Sequence, residues 1–227
     1  MRLVHGSILR PIFRQGFATA AASSTGRRWK CISSSSETGR SQRLEATRRW
    51  LDSVVIAETL CPFAAAVREA PKLRLRASEA VDEAALLNQG LHQQPVDGST
   101  MIQLPETTLV VLDASMPFCA AWQDLVRLSW RLQYEAILAQ GLERDLQLVL
   151  FHPLAMHSAY SEGLPDPADY SLRSPHPMIH LLREADVLRA VQSYPEAEQI
   201  PSRNKSRLRK QGLELCAARL QACSSTR

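Results

Sequence analysis

The chain of 227 residues carries 27 Lys and Arg against 23 Asp and Glu, a formal net charge of +4. That excess is local: residues 1–42 hold seven basic residues and one acid, which leaves 20 basic and 22 acidic residues, net −2, for the rest. The basic balance is therefore no argument for nucleic-acid affinity, and the remainder is one domain's worth of chain with enough residues for a real core.

Arg2, Arg10, Arg14, Arg27, Arg28 and Lys30 all precede the first acid, Glu37, among serines at Ser23, Ser24 and Ser33 to Ser36. An Arg-rich, Ser-rich, acid-poor start with interleaved Leu3, Val4, Ile8, Leu9, Ile12 and Phe13 has the composition of an organellar transit peptide. Its apolar runs are too short to span a membrane, and Arg10 and Arg14 interrupt any secretory core. The expected organisation is a transit peptide over 1–42, mitochondrial with plastid as the alternative, one globular domain over 43–220 and a frayed tail over 221–227. No membrane partner is expected.

Taken in order, Leu44, Trp50, Leu51, Val54, Val55 and Leu60 recur at helical spacing, with Pro62 as the stop. Residues 63–70 read as a short helix, 72–77 as a half-buried strand, 79–90 as a helix, and 93–105 as a polar loop leading to a strand over 107–112. A long helix runs from Pro117 in its first turn to the stop at Gly141. A buried strand covers 146–151, a long irregular stretch 152–177, and a fourth strand 178–183, followed by a helix capped by Asp186 and a basic helix over 202–220. The expected fold is α/β, two-layered, with a mixed sheet of about four strands, favouring parallel pairing through right-handed crossovers; α+β is the alternative.

The five cysteines, Cys31, Cys61, Cys119, Cys216 and Cys223, show no Cys-x-x-Cys or ribbon spacing, so neither a structural zinc site nor a disulfide framework is expected. No Gly-rich phosphate loop occurs, which removes the P-loop and Rossmann readings, and no cofactor is implied.

Five motifs in order, Thr47-Arg48-Arg49-Trp50-Leu51, Leu60-Cys61-Pro62-Phe63-Ala64, Phe151-His152-Pro153, Arg173-Ser174-Pro175 and His180-Leu181-Leu182-Arg183-Glu184-Ala185, resemble a mostly bacterial family catalogued as domain of unknown function 1415. The resemblance runs from about Leu44 to about Gly212 and implies no activity. The family pattern usually has Asn where this chain has Leu172 and Tyr where it has His176.

The chemistry-bearing residues lie in these motifs. Cys61, as cap of the short helix 63–70, would have its thiolate stabilised by backbone N–H groups and the helix dipole. It also follows the first helix, whose negative end acts the other way, and a buried Cys is a small hydrophobe. His152 follows a strand at its carboxyl end, where ligands bind in open α/β sheets, and Asp113 holds the matching place after 107–112; the plain alternative is a turn histidine bonded to a backbone carbonyl. His180 on a strand shares a face with Met178 and Leu182, about 13 Å along the chain from Glu184, whereas on a helix the two would pair. Arg173 and Arg183, with Ser174 between them, would grip a carboxylate or phosphate, or else pin the long loop through Asp166, Asp169 or Glu184. The run Arg203, Lys205, Arg207, Arg209 and Lys210 wraps its helix without aromatics and reads as a solvated face, so no nucleic-acid partner is expected.

Two functional readings stand. One is an enzyme acting on a small anionic metabolite, with Cys61 as nucleophile, His152 as general acid or base, His180 as orienter and Arg173, Ser174 and Arg183 holding the anion. The other is a non-catalytic ligand-binding or assembly module in which the same residues hold the loop. A mononuclear metal on Cys61, His152 and His180 is a weaker third. The three side chains must converge on one site for either chemical reading. Oligomeric state is not legible.

Overall fold

The computed structural model describes residues 37–68, 72–86, 107–157 and 165–225. The transit peptide expected over 1–42 falls outside these residues except for 37–42, as do the loop at 93–105 and parts of the stretches at 63–70, 79–90 and 152–177.

Helix α1 (Glu37–Trp50) continues as one π-helical segment over Leu51–Ile56, so the apolar stripe Trp50, Leu51, Val54 stays turned to the core. It ends before Pro62: Thr59 adopts a left-handed φ of 52°, and its N–H and that of Leu60 close back on Ile56 O and Val55 O. That is the usual device for ending a helix, here in a β-branched residue that adopts it with strain. Helix α2 is only Ala64–Val67.

Strands β1 (Leu73–Ala77), β2 (Thr107–Val111), β3 (Leu146–Phe151) and β4 (Met178–Arg183) match the four expected from alternation. They form one mixed sheet in the order β1-β2-β4-β3, in which β1 and β2 are parallel and β4 is antiparallel to both neighbours. Parallel crossovers therefore account for a single pair. After β3 the chain inserts β4 between β2 and β3.

Residues 117–140 are interrupted as well as long. A 3-10 turn at Pro117–Cys119 precedes α3 (Trp122–Arg131), which runs on as a π segment and a 3-10 turn until Gly141 stops it at φ 69°. Helix α4 (Glu184–Ser193) starts directly at the end of β4, so Asp186 lies inside its first turn, paired to Arg183, and is not the cap. The basic C-terminal stretch is two helices, α5 (Ile200–Gln211) and α6 (Leu213–Ser224), broken at Gly212 with φ 85°. The fray expected from residue 221 is absent up to Ser224: Cys223 is buried, and its carbonyl accepts from Arg49 Nε at 3.0 Å.

Helices cover both faces of the sheet. Trp50, Leu51, Val54, Leu208, Cys216 and Cys223 pack on Leu109, Val111 and Met178, while Leu125, Leu128 and Leu132 pack on Leu150 and Ile179. The α/β expectation with a mixed four-stranded sheet holds, but the two layers expected are three, because helices pack on both faces of the sheet. Among the described residues no helix is long and apolar enough to cross a membrane.

One ion pair ties the first layer to the sheet edge. Arg43 Nη1 donates to Asp113 Oδ2 at 2.9 Å, and Asp113 Oδ1 accepts from the backbone and hydroxyl of Ser115. Arg43 is buried and its Nε has no hydrogen-bond partner among the described residues, so removing the carboxylate leaves a cation out of water. Asp113→Asn is expected to cost about 3 kcal/mol in a denaturant unfolding measurement; a loss under about 0.5 kcal/mol, the level of an ordinary surface change, would show that α1 is held elsewhere.

Candidate functional site

Strands β1, β2 and β3 run the same way, so their carboxyl ends share one edge of the sheet with the start of β4. His152 and Asp113 do follow β3 and β2 at that edge. Register separates the two histidines, however. Val149 pairs with His180, which puts His180 on the face of Phe151, toward α1, with ring centroids 6.2 Å apart. His152, one residue past Phe151, turns to the opposite face, where it meets Trp122 of α3 at 6.2 Å.

Both ring nitrogens of His152 are occupied by backbone. The N–H of Leu154 donates to Nδ1 at 2.9 Å, which leaves the proton on Nε2 to donate to Cys119 O at 3.1 Å. The ring is 1% exposed, and burial pulls its pKa below the ordinary histidine range, partly offset by the Cys119 and Ala120 carbonyls. A neutral imidazole fixed in one tautomer holds the turn after β3. Asp113 is engaged with Arg43 and Ser115, so the carboxylate–imidazole pair considered from the sequence does not form.

Cys61 lies in the turn between α1 and α2, half-buried. Burial pushes its thiol pKa up, and the N–H groups of Phe63 and Ala64 draw it only partly back. The expected stabilising N–H groups are present, but a four-residue helix has little dipole to add. Among the described residues no hydrogen bond joins Cys61 to a histidine.

His180 bonds through Nε2 to Thr107 Oγ1, and burial pushes its pKa down to about 4. It sits on a strand, so Glu184 is out of reach and bonds Gln147 instead. The spacing His176-Pro177-Met178-Ile179-His180 resembles a ligand pair only on a helix; extended, the two lie about 13 Å apart. Among the described residues no group of three or more His, Cys, Asp or Glu side chains is placed to hold a metal.

The arginines do not form one clamp. Arg173 precedes the start of β4 and Arg183 ends it, opposite ends of a six-residue strand. Arg173 Nε donates to Ala155 O at 3.1 Å, its Nη2 lies 3.6 Å from Asp169, and the guanidinium sits over the Tyr170 ring. Arg183 pairs with Asp186 at 2.8 Å. Ser174 is fully buried, its hydroxyl donating to His176 O at 2.6 Å.

A second cluster lies on the long loop. Asp166 caps the 3-10 turn Pro167–Ser171 by accepting from Ala168 N, and it receives the Arg209 fork, Nε to Oδ1 at 3.1 Å and Nη2 to Oδ2 at 2.6 Å. The guanidinium lowers the Asp166 pKa to about 2. His157 bonds Ser171 Oγ through Nε2 at 2.6 Å, and burial, then nearby Lys205, lowers its pKa. Beside them Ser202, Lys205, Ser206, Arg209 and Lys210 of α5 line a concavity of about 470 Å³. These positions follow i, i+3, i+4, i+7, i+8, one face of the helix. Arg203 and Arg207 point elsewhere, to Glu196 O and Glu58 O. The signal was present in the sequence, but only when the two serines are read together with the basic residues.

The buried histidines give a pH dependence. His180 and His176, both held down to about 4 chiefly by burial, bind protons near 6.5 in the unfolded chain. Unfolding therefore takes up protons between those values, so their contribution to stability is complete above about 6.5 and is lost as pH falls to about 4. The urea midpoint is expected to fall across that window, and less steeply in His176→Gln/His180→Gln. Equal slopes in the two proteins would contradict this.

No curated protein and no solved structure matches the chain. A family model described as protein of unknown function, DUF1415, matches residues 42–218. The chain belongs to that family.

Proposed function

We propose that this protein is a non-catalytic module that binds a small anionic ligand on the α5 face, with Cys61, His152 and Arg173 serving the fold. The observation that carries the reading is the solvent-facing, cationic and hydroxyl-bearing face of Ser202, Lys205, Ser206, Arg209 and Lys210, which lines one shallow, open depression. The enzyme reading through Cys61, His152 and His180 has less support. Its thiol has no imidazole partner among the described residues, and its two imidazoles face opposite sides of the sheet. An organellar destination, mitochondrial with plastid as alternative, belongs to the same proposal and rests on the composition of residues 1–42. A fluorescent fusion of that segment that stays in the cytosol would remove it.

At low ionic strength, citrate is expected to shift the backbone amide resonances of 202–210 and to raise the melting temperature. Both effects should fade with added salt and in Lys205→Ala/Lys210→Ala. Shifts centred on Cys61 and His152 instead, or none anywhere, would contradict the proposal.

A further inference from the structure

We infer that the anionic group read by the α5 face is a phosphate monoester; this rests on the anion-binding reading above. The guanidinium that would favour a planar carboxylate is already engaged. Arg209 gives Nε and Nη2, the edge that matches two carboxylate oxygens, to Asp166 at 3.1 and 2.6 Å. The same edge holds carboxylates elsewhere in this chain, Arg68 on Asp52 and Arg131 on Glu135. What remains on the face among the described residues is two ammonium groups, Lys205 and Lys210, with the hydroxyl of Ser206 between them in sequence. Ammonium groups are compact charges with three donors each and no planar preference, which suits tetrahedral oxygens.

Charge points the same way. Arg209 and Asp166 neutralise each other, so among the described residues the two lysines leave about two positive charges on the face. A phosphate monoester carries about −1.5 to −2 at neutral pH, whereas a phosphodiester or a monocarboxylate carries about −1. Among the described residues the lining has no aromatic side chain on which bases would stack, so a single-stranded nucleic acid finds there only part of what it needs.

The test compares methyl phosphate, dimethyl phosphate, malonate and a short oligothymidylate by amide-resonance titration of the full chain at fixed ionic strength. Methyl phosphate is expected to bind at least about fivefold more tightly than malonate, which has a similar charge but planar groups, and about tenfold more tightly than dimethyl phosphate. Lys205→Ala and Lys210→Ala should each weaken methyl phosphate about fivefold. Lys205→Arg/Lys210→Arg, which keeps the charge and adds two free forks, should shift the preference toward malonate. Malonate binding as tightly as methyl phosphate, with 202–210 perturbed, would overturn the phosphate assignment and leave the anion site standing. Oligothymidylate binding more tightly per phosphate than methyl phosphate would overturn it in favour of nucleic acid. Failure of every ligand to bind would overturn the anion site as well.

Discussion

The fold depends on a single tryptophan. The Trp50 indole N–H donates to Arg173 O at 3.1 Å while the ring meets Phe151 edge-on at 5.1 Å, so one buried side chain joins α1, the end of β3 and the loop that leads into β4. That junction answers a topological demand. Because β4 enters between β2 and β3, the chain just before it, 165–177 among the described residues, is mostly buried or half-buried and its backbone polar groups need partners. They find partners nearby: His152 N donates to Leu172 O, Leu112 N to Pro177 O, Arg173 Nε to Ala155 O, and the Ser174 hydroxyl to His176 O. The tryptophan, arginine, serine and histidine of the sequence motifs thus act first as hydrogen-bond partners for this segment.

Much of this was legible and some was not, for physical reasons. Strand limits at 146–151 and 178–183 follow from side-chain alternation, which depends only on local chain geometry. Strand order does not, because period 2 is the same in parallel and antiparallel neighbours. Without order and register, His152 and His180 look like partners, although one residue of phase sends them to opposite faces. The break between α5 and α6 is not legible in the pattern either: a single Gly such as Gly212 costs a helix about 1 kcal/mol and is tolerated, and only its φ of 85° shows that the chain turns there. Cys61 was ambiguous between two helix ends, and what decides is that burial outweighs the N–H groups of Phe63 and Ala64.

The 3-10 turn Pro167–Ser171 links the scaffold to the ligand face. Asp169, buried within it, approaches Arg173 on one side and accepts from the N–H of His157 on the other, while Asp166 at its start holds Arg209 of α5. Order in the loop is therefore mechanically continuous with the position of the α5 side chains. A ligand on α5 would act on a face whose Arg209 is tied through Asp166 to the loop that the Trp50 junction holds.

The central claim is that the motif residues are structural, and the most direct test is the pH dependence of Cys61 alkylation by iodoacetamide in the native protein, with the modified site read by peptide mass spectrometry. The account predicts slow reaction with an apparent pKa above the ordinary thiol value of about 8.5, unchanged in His152→Gln once that variant is shown to be folded. Rapid reaction with a pKa well below 8.5 that rises in His152→Gln would mean that thiol and imidazole cooperate, and the structural account of the motifs would be wrong.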